Sequence, residues 1–80
     1  MRAWLKEMRA NAGLTQKDMA ERISVAQPYY CKIENGTKQL DMTYSMMEKL
    51  ASALNVPVQE VIEAERAYRT DKPVNGKKVA

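Results

Sequence analysis

Apolar residues recur from Leu5 to Tyr68 at steps of three and four, the spacing that lines side chains along one face of an α-helix. Leu5, Met8 and Ala12 predict a first helix over about Arg2–Asn11, with Gly13 as its C-terminal stop and Leu14 resuming the apolar side. Thr15 is a good N-cap, and Asp18 three residues on can complete a capping box. Met19, Ala20 and Ile23 then give a short second helix one buried face, and Ser24-Val25-Ala26 links it to a third. That third helix starts near Gln27. Pro28 suits its first turn, Tyr30 and Ile33 face inward, and Asn35-Gly36 ends it. Thr37 to Asp41 reads as a loop. Thr43 caps a fourth helix whose apolar face is Met47, Leu50, Ala51 and Leu54, with Asn55 and Pro57 closing it. Val58, Val61, Ile62 and Tyr68 outline a fifth. No strand pattern occurs, so the expected fold class is all-α, a compact bundle of five short helices over residues 1–69. From Thr70 onward the chain turns polar, with Pro73 and Gly76, and residues 70–80 read as a disordered, flexible basic tail.

Composition narrows the function. Eighty residues fit one small domain, and 45% hydrophobic with 29% charged residues is the balance of an ordinary soluble globular protein. There is no run of about 20 apolar residues to span a membrane and no signal-like apolar N-terminus, which points to a cytoplasmic protein. A single cysteine, Cys31, excludes an internal disulfide and a multi-cysteine zinc site. The absence of histidine removes the commonest general base and metal ligand. An enzyme is therefore not expected, nor a metal, a cofactor or a small-molecule ligand. The net charge of +3 is unevenly placed: residues 66–80 carry +4 and residues 1–65 carry −1. The body alone does not advertise a polyanion partner, so a nucleic-acid reading has to come from local pattern.

That pattern lies between Leu14 and Gly36. Ala20 permits close approach of two short helices and Val25 pins the turn between them, which lets one helix cross a DNA backbone while the next lies in the major groove. The outward positions of the second of these helices include Gln27, Pro28, Tyr29, Cys31 and Lys32. Gln27 can pair with adenine or another base edge, and Lys32 with guanine or a phosphate. Tyr29 can meet a thymine methyl with its ring or a phosphate with its hydroxyl.

Leu14-Thr15-Gln16, Met19-Ala20, Val25 and above all Ile33-Glu34-Asn35-Gly36 resemble the Xre-type helix-turn-helix family, which includes the lambdoid phage repressors and Cro proteins. The resemblance runs from about Leu5 to Ile62, with the helix-turn-helix at about 15–36. It implies a lambda-repressor-like DNA-binding domain, of bacterial or phage origin, acting as a homodimer on a pseudo-palindromic operator. By the same resemblance Gln16 contacts a phosphate, with Lys17 beside it, and Gln27 and Lys32 take base-facing positions. Asn35, Thr37 and Lys38 match a loop that receives the neighbouring phosphate through backbone N–H groups and side chains. Arg9 and Glu34 match a pair tying the first helix to the end of the recognition helix, and a charge on the inner face of each helix is tolerable only if the two meet.

Three departures stand out. Ala26 replaces the usual capping serine or threonine, Pro28 replaces a polar base reader, and the segment between Gly36 and the Ala51–Leu54 stretch runs about two residues longer than usual. Beside the DNA reading stand plainer ones. Tyr30 is placed in the core and Tyr29 on the DNA face; Met47 fills the core, Met46 stays open, and Met42 could belong to an adaptable partner surface. Cys31 is a tolerated small residue rather than a redox switch. Asn35-Gly36-Thr37 spells a glycosylation sequon that without a secretory signal marks only a helix stop. The leading expectation is a sequence-specific regulator of transcription, most simply a repressor acting by operator occupancy. Its dimer surface is expected at the end of the fourth helix and the fifth, around Val56, Val58 and Gln59. The alternative is a protein-interaction module such as an antitoxin neutralising a partner protein, which the near-neutral body suits.

Overall fold

The computed structural model describes residues 1–70 and resolves them into α1 (Ala3–Asn11), α2 (Gln16–Arg22), α3 (Gln27–Asn35), α4 (Tyr44–Leu54) and α5 (Val58–Thr70). No strand is present among the described residues. Thr70, assigned from the sequence to the tail, is the last residue of α5; the expectation of disorder beyond it lies outside the described residues.

Helices α1 to α4 all stop by one device. A residue in the left-handed region follows each: Gly13 (φ 73°), Ser24 (φ 62°), Gly36 (φ 85°) and Asn55 (φ 60°). The next N–H then reaches back five residues, from Leu14 to the Arg9 carbonyl, Val25 to Ala20, Thr37 to Lys32 and Val56 to Ala51, at 2.9–3.1 Å. These are Schellman closures, which satisfy carbonyls that the helix end would leave bare. At Gly36 the sequence has no freedom, because a Cβ there would also lie 2.7 Å from the Tyr68 hydroxyl. Helix starts differ. Thr15 and Asp18 form a reciprocal capping box and the Thr43 hydroxyl accepts from the Met46 N–H, whereas Ala26 gives α3 no side-chain cap.

The core is drawn from the first four helices: Leu5 of α1, Met19 and Ala20 of α2, Tyr30 and Ile33 of α3, and Met46, Leu50, Ala53 and Leu54 of α4, with Ile23 from the α2–α3 turn. Helix α2 packs on α3, α4 on α5, and α1 lies against both α3 and α5. The sequence assigned Met47 to the core and left Met46 unassigned. Met46 and Met42 are buried, while Met47 is only half-buried at the margin of the core. The apolar stripe on α4 is wider than one four-residue row: Met46, Leu50, Ala53 and Leu54 enter the core, and Ala51 is buried beside them. On α5, Val61 is buried and Val58 and Ile62 are partly exposed, because the row turned inward is Val61-Glu65.

Ser24 is an exposed L-residue held at φ 62° with no side-chain bond to compensate the strain. Ser24→Gly is expected to raise unfolding free energy by about 1 kcal/mol. Leu50→Ala, which empties a fully buried site, is expected to lower it by about 2–5 kcal/mol. Urea midpoints at constant slope read both; a destabilised Ser24→Gly would contradict the strain argument.

Candidate functional site

Two helices and a four-residue turn present one outward face. Ile23 and Val25 anchor the turn in and against the core, and the Val25 N–H closes on the Ala20 carbonyl. The sequence of α3 divides cleanly around its axis. Tyr30, Ile33 and Glu34 are buried, whereas Gln27, Pro28, Lys32 and Asn35 are exposed, and Pro28-Lys32-Asn35 form a row at helical spacing. Cys31 is half-buried between these faces. Tyr29 is half-buried too, packed against the core, and its hydroxyl accepts from the Gln39 carboxamide at 3.1 Å.

Glu34 is the only carboxylate on α3, and it points inward, 2% exposed. Arg9 Nε donates to its Oε2 at 2.7 Å, Tyr30 Oη to Oε2 at 2.8 Å and Gln16 Nε2 to Oε1 at 2.9 Å. Burial pushes the Glu34 carboxyl up, but hydrogen bonds from Arg9, Gln16 and Tyr30 and the Arg9 charge outweigh it and hold it below the usual carboxylate range. The same bond raises the Arg9 guanidinium. Burial, and then the bond to Glu34, raises the Tyr30 hydroxyl. The result is that α3 and the loop to Leu40 expose Lys32 and Lys38 and no carboxylate. The near-neutral body is therefore not near-neutral on this face.

The remaining sequence-designated residues fall at its edges. Lys17 is exposed in the first turn of α2. Gln16 beside it is half-buried, with its carboxamide oxygen accepting from Cys31 Sγ at 3.0 Å and one N–H spent on Glu34. One N–H of that amide remains for an outside partner. Asn35, the last residue of α3, and Thr37 and Lys38 after it are all exposed. The expectation that backbone N–H groups of this loop meet a phosphate needs correction: the Gly36, Thr37 and Lys38 N–H groups donate to the Ile33 and Lys32 carbonyls, because they close the helix. What Thr37 and Lys38 leave outward is their side chains.

Sequence reasoning missed a second buried ion pair, Arg2 with Glu65, each 1% exposed and 2.9 Å apart. The signal was present, since Arg2 stands three residues before Leu5 and Glu65 four after Val61, each on the apolar row of its helix.

Residues 3–66 match the family described as "Helix-turn-helix domain". A 39-residue stretch is 44% identical to a Bacillus subtilis (strain 168) protein named "Uncharacterized HTH-type transcriptional regulator YqaF", covering 49% of this chain and 51% of that protein. The chain thus spans about half the length of the curated relative it matches. No solved structure matches it.

Because its folded pKa is depressed, ionised Glu34 contributes stability that is complete above its unfolded value near 4.5 and is lost as pH falls through the folded value. Glu34→Gln is expected to cost about 3 kcal/mol at pH 7, the lower end for a broken buried pair because Arg9 is 15% exposed. The gap between wild type and variant should narrow as pH falls below 4.5. A gap constant between pH 7 and pH 3 would show that Glu34 is not held ionised.

Proposed function

The chain belongs to the helix-turn-helix domain family, and from that premise we propose that it is a sequence-specific, double-stranded-DNA-binding regulator of transcription that docks α3 in the major groove. The supporting observation is the division of α3: an exposed row free of carboxylates, on a helix whose one carboxylate is turned inward and neutralised by Arg9. Gln27 and Lys32 read base edges from the exposed side of α3, with Tyr29 at its margin. Gln16 and Lys17 from the start of α2, with Asn35 at the end of α3 and Thr37 and Lys38 after it, contact phosphates, which fix register without reading sequence.

The name carried by the Bacillus relative agrees with a regulator, and repression is the simplest consequence, since a domain seated in the groove competes with polymerase for the same duplex. The protein acts as a homodimer on a two-fold-symmetric operator, pairing through the end of α4 and α5. Val56 and Val58 are partly exposed there, and Gln59 is exposed. Half-sites then lie one helical turn, about 10–10.5 bp, apart. Among the described residues no helix is long and apolar enough to cross a membrane.

Selection from random duplexes at two salt concentrations is expected to return a symmetric motif with that spacing. Lys32→Ala should relax preference at one base pair per half-site, about 1–3 kcal/mol of discrimination. Lys38→Ala should weaken all sequences alike and reduce the salt slope by about one per protomer. Recovery of no motif, with weak binding only, would overturn the reading and favour a protein partner instead.

A further inference from the structure

Among the described residues Arg2 is the most completely bonded side chain, and neither core packing nor the proposed DNA contacts account for it. All five of its N–H donors are used. Nε and Nη2 donate to the Glu65 carboxylate at 2.9 and 3.1 Å. Nη1 donates to the Ile33 carbonyl at 2.6 Å and the Lys38 carbonyl at 3.1 Å, and Nη2 also donates to the Gln39 carbonyl. Its backbone N–H donates to the Glu34 carbonyl at 2.8 Å, and its guanidinium carbon lies 5.5 Å from the Tyr68 ring centroid. Glu65 is held in turn by Trp4 Nε1 at 3.2 Å.

An isolated buried ion pair is weak ground for stability, since desolvation can exceed the Coulombic gain and apolar residues often serve as well. What an apolar residue cannot do is donate to the three main-chain carbonyls that converge here. Ile33 and Glu34 lie in the last turn of α3, and Lys38 and Gln39 in the loop after it. With these carbonyls turned in toward Arg2, the loop curls around the guanidinium and leaves the Thr37 and Lys38 side chains exposed. The loop is not relaxed on its own. Gln39 sits at φ 54°, a conformation that persists in an L-residue only where the surroundings hold it. Arg2 bonds the carbonyls of Gln39 and the residue before it.

We propose that Arg2, locked by Glu65, is the positioning residue of the loop after the recognition helix: it fixes the backbone of Lys38 and Gln39 so that Thr37 and Lys38 meet the DNA phosphates. The role rests on the DNA-binding reading above, and it adds a specific dependence of phosphate contact on a residue that itself touches no DNA. Base preference is set by the outward side chains of α3, whose end Arg9 and the closure on the Lys32 carbonyl also hold.

The test uses the full chain with Arg2→Lys, which keeps the charge but not the five-donor fork, in a double-mutant cycle with Lys38→Ala. Arg2→Lys is expected to weaken binding about tenfold on every sequence, leave the selected motif unchanged and reduce the salt slope by about one per protomer. Lys38→Ala added to Arg2→Lys should then change the slope little further, because its contact is already lost. A merely destabilising substitution would lower the melting temperature and leave the slope and the cycle additive. If Arg2→Lys does not fold, Glu65→Gln carries the same readouts, with a smaller loss in the same direction. A wild-type slope, or additivity of Arg2 and Lys38, overturns this proposal alone. Failure of the wild-type chain to select any motif overturns the DNA reading and this role with it.

Discussion

Two inward guanidinium groups, Arg2 just before α1 and Arg9 within it, hold the far end of α3, and most of the architecture follows from them. Arg2, Leu5 and Arg9 stand at successive helical steps, so the face of α1 turned inward is a cation, an aliphatic side chain and a second cation. Leu5 enters the core. Arg9 takes the Glu34 carboxylate, and Arg2 takes the Ile33 carbonyl, the Glu34 carbonyl and Glu65. One helix thus orients the end of α3 by its side chain, by its main chain and through α5. Arrangements of this kind are directional where hydrophobic contact is not. A Leu in place of either arginine could fill the volume, but it would leave a buried carboxylate without its charged partner and carbonyls without their side-chain donor, at roughly 1–3 kcal/mol for each group stranded.

The same pairs shape the electrostatics of the outer surface. Residues 1–65 carry nine carboxylates against eight cations, which on an averaged surface would repel nothing and attract nothing. Folding does not average them. Glu34 and Glu65 are internal and paired, Asp18 is drawn back into its capping box, and Asp41 meets Arg69 at 2.5 Å. Lys17, Lys32 and Lys38 stay exposed on α2, α3 and the loop to Leu40, and the exposed carboxylate on these elements is Glu21 of α2. Net charge is therefore a poor guide to the potential of this face, and local accounting of which charges are internal is a better one.

Helix existence was legible in the sequence because each helix has its own stop and apolar row. Gly13, Asn35-Gly36 and Asn55 announce left-handed residues, and they mark three of the four closures observed. Ser24 was not readable as the fourth, since serine has no intrinsic preference for that conformation and adopts it here because Val25 must return to the Ala20 carbonyl. The Arg9–Glu34 pair could be anticipated from charges on apolar rows. Arg2–Glu65 obeys the same logic but joins residues 63 apart, with Arg2 preceding the helix itself, and only the folded chain brings them together. The outward row of α3 follows from periodicity alone. The engagement of the Gln16 amide and of the loop N–H groups does not, because it depends on side-chain and turn geometry that spacing leaves free.

The two ends of α3 are secured unequally. At its C-terminal end converge Gly36, the Lys32 closure, Arg2 and Arg9; at its N-terminal end Ala26 supplies no cap and Pro28 supplies no N–H. The missing cap matters less than a serine-to-alanine change elsewhere. Proline at this position removes one orphan donor, and the Tyr29 N–H already reaches the Ala26 carbonyl at 3.0 Å, so the loss falls near the low end of the usual range, about 0.5 kcal/mol. On the reading proposed here, the clamped end sets the angle of the helix and the distance of its loop from the phosphates, tasks that demand rigidity. The uncapped end carries Gln27, whose carboxamide can serve several base edges and gains from room to adjust. A helix fixed hard at one end and lightly at the other fits a division between binding and reading within nine residues.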